Sequence, residues 1–269
     1  MTQPTHDQFR AEIDRQSALF RTALTGCDEA ARVPACPDWA ATDLLAHLTE
    51  VQAFWAHFVA TPITEGSQLD SYDDPTPADT YAARLTEFDA AHRSLGTAVG
   101  AATPGDARWM WASDQGLHTV GYITRRQAHE ALIHRVDAEQ AAAQPVTDAD
   151  PHLAADGVDE MVTVMLGGHP EWASFAGDGR VVRLAATDTG DEWLVELGRL
   201  AGTHPRSGEQ FEEAGLRPVT GGEPIATISA PAWPLDLWLW NRTDAATVER
   251  TGDADALRHV DDALAEGLN

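Results

Sequence analysis

The spacing of apolar residues changes once along this chain, and that change limits the folds open to it more than any other feature. Up to about residue 142 the apolar positions repeat at helical intervals. After QPVTDADP at 144–151 they fall in short runs rich in Val, Ile, Leu, Trp and Thr, bounded by Gly, Pro or Asp, which is the pattern of strands. Residues 6–25 carry Phe9, Ile13, Phe20 and Leu24 at helical spacing, and residues 42–59 form a second amphipathic segment. A long connection at 61–79 is rich in turn residues. In it, Thr76 before Pro77 predicts the cap and first position of a third helix, with Tyr81, Leu85, Phe88, Leu95 and Val99 as its apolar face. Pro104 and Gly105 end that helix, and a fourth is predicted from about 116 to 142. Four helices with one long crossover suit a four-helix bundle over residues 1–145, followed by a small mixed α/β domain over 146–269. In the second part, Leu153, Val158, Met161, Val162 and Met165 mark a short helix. GRVVRLAATD, EWLVELG and EPIATISA read as strands, and GDGR at 177–180 as a turn. PLDLWLWNR at 234–242 reads as a buried helical segment, and residues 253–268 as a closing amphipathic helix.

A length of 269 residues agrees with two domains of ordinary size. The formal net charge of -25 argues against a nucleic-acid partner and against anionic membrane surfaces, since both are bound through clustered cations. A local basic spot could still hold an acidic small molecule. The first residues lack the charged and apolar regions of a signal peptide, and no apolar run reaches the roughly 18 residues of a membrane helix, so a soluble, cytoplasmic protein is expected. Cys27 and Cys36 are too few for a disulfide framework and wrongly spaced for a thiolate zinc site. They are expected to be small buried hydrophobes.

Candidate chemistry gathers in TRRQAHEALIHRVDAE at 124–139, where Glu130 and His134 stand four residues apart and so share one helical face. A third candidate is His47, flanked by Leu44, Val51, Phe54 and Phe58 on a face expected to be buried. Taken alone, His47 could be a core histidine bonded to a carbonyl, and the Glu130/His134 pair a solvated helical pair. The surrounding stripe of Ile123, Arg126, Glu130, His134 and Asp137 lies beside the apolar Leu132, Ile133 and Val136, with Ala128, Ala131 and Arg135 expected outermost. A carboxylate at such a boundary is costly unless it is paired or holds a metal. HEALIH is not the zinc-protease helix, whose histidines are four apart. His129 is five residues from His134 and points about 140° away, so it is expected in the core or behind the ligands rather than among them. His57, ten residues from His47, is likewise left out of the site. Asp137 could orient His134 or pair with a surface arginine.

CPDWAATDLLAHLTEVQAFW, then RRQAHEALIHRVDAE, then PLDLWLWNR resemble the mycothiol-dependent maleylpyruvate isomerase family, over most of the chain. The resemblance implies a DinB-like four-helix bundle followed by a small α/β domain similar to sterol-carrier folds. It also implies a zinc ion held by His47, Glu130 and His134, and an activity-linked arginine at Arg242, where the family's usual preceding glycine is Asn241. Two imidazoles and one carboxylate leave an open position on a tetrahedral zinc. A thiol bound there is deprotonated, and the resemblance names it as mycothiol, the small thiol of actinobacteria. The expected activity is attack of that thiolate on a small electrophile, giving maleylpyruvate-type cis-trans isomerisation or S-transfer. Arg242 then pairs with a substrate carboxylate, its alternative being a structural ion pair. Without the resemblance, the same zinc could activate water to hydrolyse an amide or ester, or the chain could be a noncatalytic metal- or thiol-binding module. Imidazole and carboxylate accept several divalent ions, and no motif names the electrophile.

Overall fold

The computed structural model describes residues 3–73 and 75–266. The chain divides into two compact units, Pro4–Thr147 and a second that begins at Asp148.

The first unit holds the long helices α1 (His6–Leu24), α2 (Ala41–Ala60), α3 (Tyr81–Ala101) and α4 (Val120–Ala141), with a hairpin of β1 (Arg32–Val33) and β2 (Cys36–Ala40) leading into α2. α1 packs chiefly on α4, and α2 on both α3 and α4. Thr5 and Gln8 close a reciprocal capping box at the start of α1. Phe20 and Leu24 from α1, Val33 from β1, Leu44, Leu45 and Leu48 from α2, Leu85 and Phe88 from α3, and Ala138 from α4 form one buried core. Each large side chain there contributes on the order of 1.5–3 kcal/mol through removal from water. Cys27 and Cys36 are not joined in a disulfide; both pack against this core and are only half-buried, less enclosed than expected.

Three other expectations are corrected here. The third helix begins at Tyr81, because Thr80 rather than Thr76 caps it by accepting from the Ala83 amide. The chain around Ala78 is held outside the helix, its amide bonded to Glu87 and its carbonyl to Arg84. The fourth helix begins at Val120, capped by Thr119, and is preceded by a 3-10 turn at Gln115–Leu117. The face of α4 expected outermost is wholly interior: Ala128, Ala131 and Arg135 are all at 0% exposure. Arg135 is tolerated there because Nε donates to Gln16 of α1, and Nη1 to Glu139 and to the Thr147 carbonyl.

In the second unit α5 (Pro151–Glu160) runs into a π-helical turn at Met161–Met165. The strands are β3 (Ala173–Ala186), β4 (Glu192–Thr203), β5 (Gln210–Val219), β6 (Pro224–Ala230) and β7 (Glu249–Gly252); α6 (Ala232–Leu239) follows β6 and α7 (Ala254–Glu266) follows β7. The sheet order is β5-β4-β3-β6-β7, parallel only between β3 and β6. One face is continuous across the register: Val195, Val182 and Ala226 form one buried row, and Trp193, Leu184 and Ile228 the next. GDGR is not a turn between elements. It is a bulge inside β3, where the pairing with β4 shifts between Gly177 and Val181 and Gly179 takes φ +81°.

Candidate metal centre

The hairpin carries the chain into α2, where the Ala40 amide donates to Asp43 at 2.9 Å and fixes the first turn. Two turns on, His47 sits at the rim of the helix's buried face. Leu44, Leu45, Leu48, Gln52 and Trp55 are buried, whereas the His47 side chain is 33% exposed. The buried face expected around His47 is therefore rotated: Leu44 and Phe58 are interior, while Val51 and Phe54 are only half-buried. That rotation leaves the imidazole able to reach both a neighbouring helix and solvent.

Glu130 and His134 meet His47 from α4. Glu130 Oε1 lies 3.2 Å from His47 Nε2 and 3.1 Å from His134 Nε2. One donor atom from each of the three side chains lies within 4.8 Å of the others. Two of the remaining polar atoms are engaged from behind. His134 Nδ1 is 2.9 Å from Asp137 Oδ2, and Asp137 is fully buried. A carboxylate can only accept, so Nδ1 is the donor and the neutral ring presents the Nε2 lone pair to Glu130. Glu130 Oε2 accepts from Arg126 Nη2 at 3.0 Å. The Trp39 ring closes one side, 4.9 Å from the His47 ring centroid and 6.2 Å from that of His134.

A lone pair facing a carboxylate oxygen at 3.1 Å is repulsive unless a proton or a cation lies between them. With no cation, the proton takes the place. Burial disfavours the charged ring, but the Glu130 charge, together with hydrogen bonds to Asp137 and Glu130, outweighs it and pushes His134 up to about 9. Burial likewise opposes the Glu130 carboxylate. The His134 charge, hydrogen bonds from both histidines and the Arg126 guanidinium overcome it and hold Glu130 well below the ordinary carboxylate range. A divalent ion answers the same need. Tetrahedral bonds of about 2.0–2.1 Å place neighbouring ligand atoms about 3.3 Å apart, close to the spacing of Oε1 from each Nε2. The donor set therefore fits such an ion, with three protein ligands and room for a fourth.

Of the other residues singled out in the sequence, His129 is buried edge-on against Phe9, away from the cluster. His57 lines a separate cavity of about 1010 Å³ with Ala53, Ala56, Tyr72, Arg93 and Arg108. Arg242 belongs to the second unit. There α6 ends with the Asn241 amide bonded to the Trp238 carbonyl and the Arg242 amide to that of Leu237, and Asn241 takes φ +57°. This is a Schellman termination, in which the left-handed position usually falls to glycine and asparagine is the next most tolerant residue. The departure at Asn241 therefore preserves the backbone turn. It places the Arg242 guanidinium over the Trp240 ring at 5.9 Å, with Nη1 donating to the Trp240 carbonyl at 2.7 Å. Trp39 was missed as a site residue; the only trace of it in the sequence is its position in CPDW, just ahead of the helix that carries His47.

The fold and the donor set define a class: a helical unit presenting two histidines and a glutamate, joined to a unit built on a mixed five-stranded sheet. The sequence model of the mycothiol maleylpyruvate isomerase N-terminal domain matches residues 10–139, and the helical unit belongs to that family. Across both units the fold is that of the mycothiol-dependent maleylpyruvate isomerase. Its crystal structure matches with a TM-score of 0.55 at 14% identity, covering 94% of this chain and 98% of that one. The structure of a histidine-to-alanine mutant of that enzyme matches with a TM-score of 0.59 at 13% identity, with the same coverage. No curated protein matches the chain. Among the described residues no helix is long and apolar enough to cross a membrane.

Proposed function

We propose that this chain is a metal-dependent, mycothiol-dependent enzyme acting on a small electrophile, with His47, Glu130 and His134 as the metal ligands. The observation that carries the reading is the convergence of Glu130 Oε1 with the Nε2 atoms of both histidines. Family membership of the helical unit supplies the thiol. A divalent ion, zinc by the family resemblance, would hold the incoming sulfur as a thiolate at neutral pH, so the protein needs no nucleophile of its own.

The chain's residues then perform binding and positioning. Asp137 accepts a hydrogen bond from Nδ1–H of His134 and so keeps Nε2 directed into the site. The Trp39 ring excludes water from one side. Arg242, its guanidinium steadied on Trp240, pairs with a carboxylate of the electrophile. For isomerisation the thiol would supply a nucleophile that adds reversibly to the cis double bond, with the adjacent carbonyl taking up and returning the electron pair, so that loss of the same thiolate after rotation would leave the trans isomer. Attack at a saturated carbon with loss of its leaving group, or at an epoxide carbon with ring opening and protonation of the released alkoxide, would keep the new C–S bond and give S-transfer by the same nucleophile.

Metal analysis of the wild type and of His47→Ala and His134→Ala, combined with turnover of maleylpyruvate with and without mycothiol, tests this. Stoichiometric metal lost in both folded variants and turnover that requires the thiol are expected. Unchanged metal in both variants overturns the ligand set. Turnover of esters or amides with water alone replaces the thiol reading with hydrolysis, and metal binding without turnover of any electrophile replaces it with a binding module.

A further inference from the structure

The two oxygens of Glu130 have different neighbours. Oε1 faces both imidazoles, whereas Oε2 accepts from Arg126 one helical turn earlier on α4, at 3.0 Å. The Arg126 side chain is 4% exposed and that of Glu130 is 18% exposed, so the contact is far more enclosed than an ordinary surface pair four residues apart. A carboxylate without such a neighbour can close on a divalent ion with both oxygens, as glutamates do in calcium sites. Here the second oxygen is already taken.

We propose that Arg126 is a positioning residue that confines Glu130 to ligation through Oε1 alone, an inference that rests on the metal reading above. Two consequences follow. The protein supplies three ligand atoms instead of four, which leaves a position for the thiol. The guanidinium also offsets the only anionic ligand, so the bound ion keeps more of its charge to hold the incoming sulfur as thiolate. Asp137 acts in the opposite sense on His134, drawing on its Nδ1 proton and making Nε2 the better donor. One ligand is thereby strengthened while the other is restrained.

The test uses the full chain stripped of metal and reloaded with Co²⁺, comparing wild type, Arg126→Lys and Arg126→Met. The wild type is expected to show the intense visible absorption of a four-coordinate ion. In Arg126→Met that absorption falls several-fold as Oε2 joins the ion. Affinity also rises by at least about tenfold, the relief expected even at water's permittivity from removing a unit charge roughly 6 Å from a divalent ion. Arg126→Lys, which can still hold Oε2, keeps the wild-type spectrum. A helix-stabilising pair alone would alter melting and leave the spectrum unmoved. Wild-type spectrum and affinity in a folded Arg126→Met overturn the proposal while leaving the metal reading intact. A wild type that takes up no Co²⁺ overturns both. A crystal structure of the Co²⁺-loaded wild type needs no variant to fold: Oε1 alone on the ion supports the proposal, and both Glu130 oxygens on it overturn it.

Discussion

On the proposed metal reading, metal and proton would compete for the same place between Glu130 and His134, and the size of that contest can be worked out. In the metal-free protein His134 is pushed up to about 9, chiefly by Glu130 and Asp137 acting against burial. At pH 7 the proton is therefore held by about two pKa units, worth about 2.7 kcal/mol, and a divalent ion binds about a hundredfold more weakly than it would to the neutral ring. The apparent Kd for Co²⁺ should fall close to tenfold per pH unit between about pH 6 and 8, with about one proton released per ion bound. Calorimetric titration in two buffers of different ionisation enthalpy counts that proton directly. Asp137→Asn keeps an acceptor on Nδ1 but removes one of the charges that raise His134, so proton release at pH 7.5 should drop. The same shift governs stability without metal. Because the folded-state pKa lies above the unfolded value of 6.5, the protonated ring's contribution is fully present below about pH 6.5 and lost as pH rises through about 9. The metal-free protein should melt lower at pH 9.5 than at pH 7, by up to about 3 kcal/mol in unfolding free energy, and the loaded protein should escape that loss. A Kd independent of pH, with no proton released, would refute the reasoning.

Arg135→Met should cost about 3–5 kcal/mol in urea unfolding, since it strands Glu139 in a buried network that also holds Gln16 and Thr147; a loss under 1 kcal/mol would mean the network relaxes. Asn241→Ala should destabilise by about 1–2 kcal/mol through the left-handed φ, whereas Asn241→Gly should lose only its bond to the Leu264 carbonyl, and equal melting of the two variants would contradict this. Bound Co²⁺ should quench tryptophan fluorescence, and Trp39→Phe should abolish most of that quench even though eight other tryptophans remain from a total of 9, because Trp39 packs on both histidines. Arg242→Ala should lower turnover by about a hundredfold or more with bound metal and melting temperature unchanged; wild-type kinetics would remove it from the site, and a large loss of stability would make it a structural residue.

The elements that the sequence reading found are those whose burial writes a period into the chain. α1 buries residues at three- and four-residue intervals, and the central strands β3, β4 and β6 alternate where their buried faces require it. The strands it missed in the second unit, β5 and β7, are the two edges of the sheet. β5 carries Glu212, Glu213 and Pro218, and β7 is Glu-Arg-Thr-Gly, residues that an edge tolerates because one side of its ladder needs no partner. The third helix began one turn late because Thr76 and Thr80 are equally good caps by type, and only the bonds of Ala78 to Glu87 and Arg84 decide between them.

The donor set was legible for a related reason: two of its members lie four residues apart on one helix, and helical geometry alone puts them on one face. What surrounds the donors was less so. Arg126 and Asp137 were visible as members of the same stripe, but which ligand atom each one holds depends on side-chain direction, and the pairing of Arg126 with Oε2 rather than Oε1 has no counterpart in a string of letters. Arg135 shows the same limit from the other side. Its place opposite the ligand stripe made it look solvent-facing, because periodicity assigns one wet face to a helix. α4 has none, being enclosed along nearly its whole length, and its charged residues are accommodated by partners brought from α1 and from beyond its own C-terminus. A helix that carries both a candidate metal centre and a buried arginine network is therefore one in which polarity reports internal pairing rather than exposure.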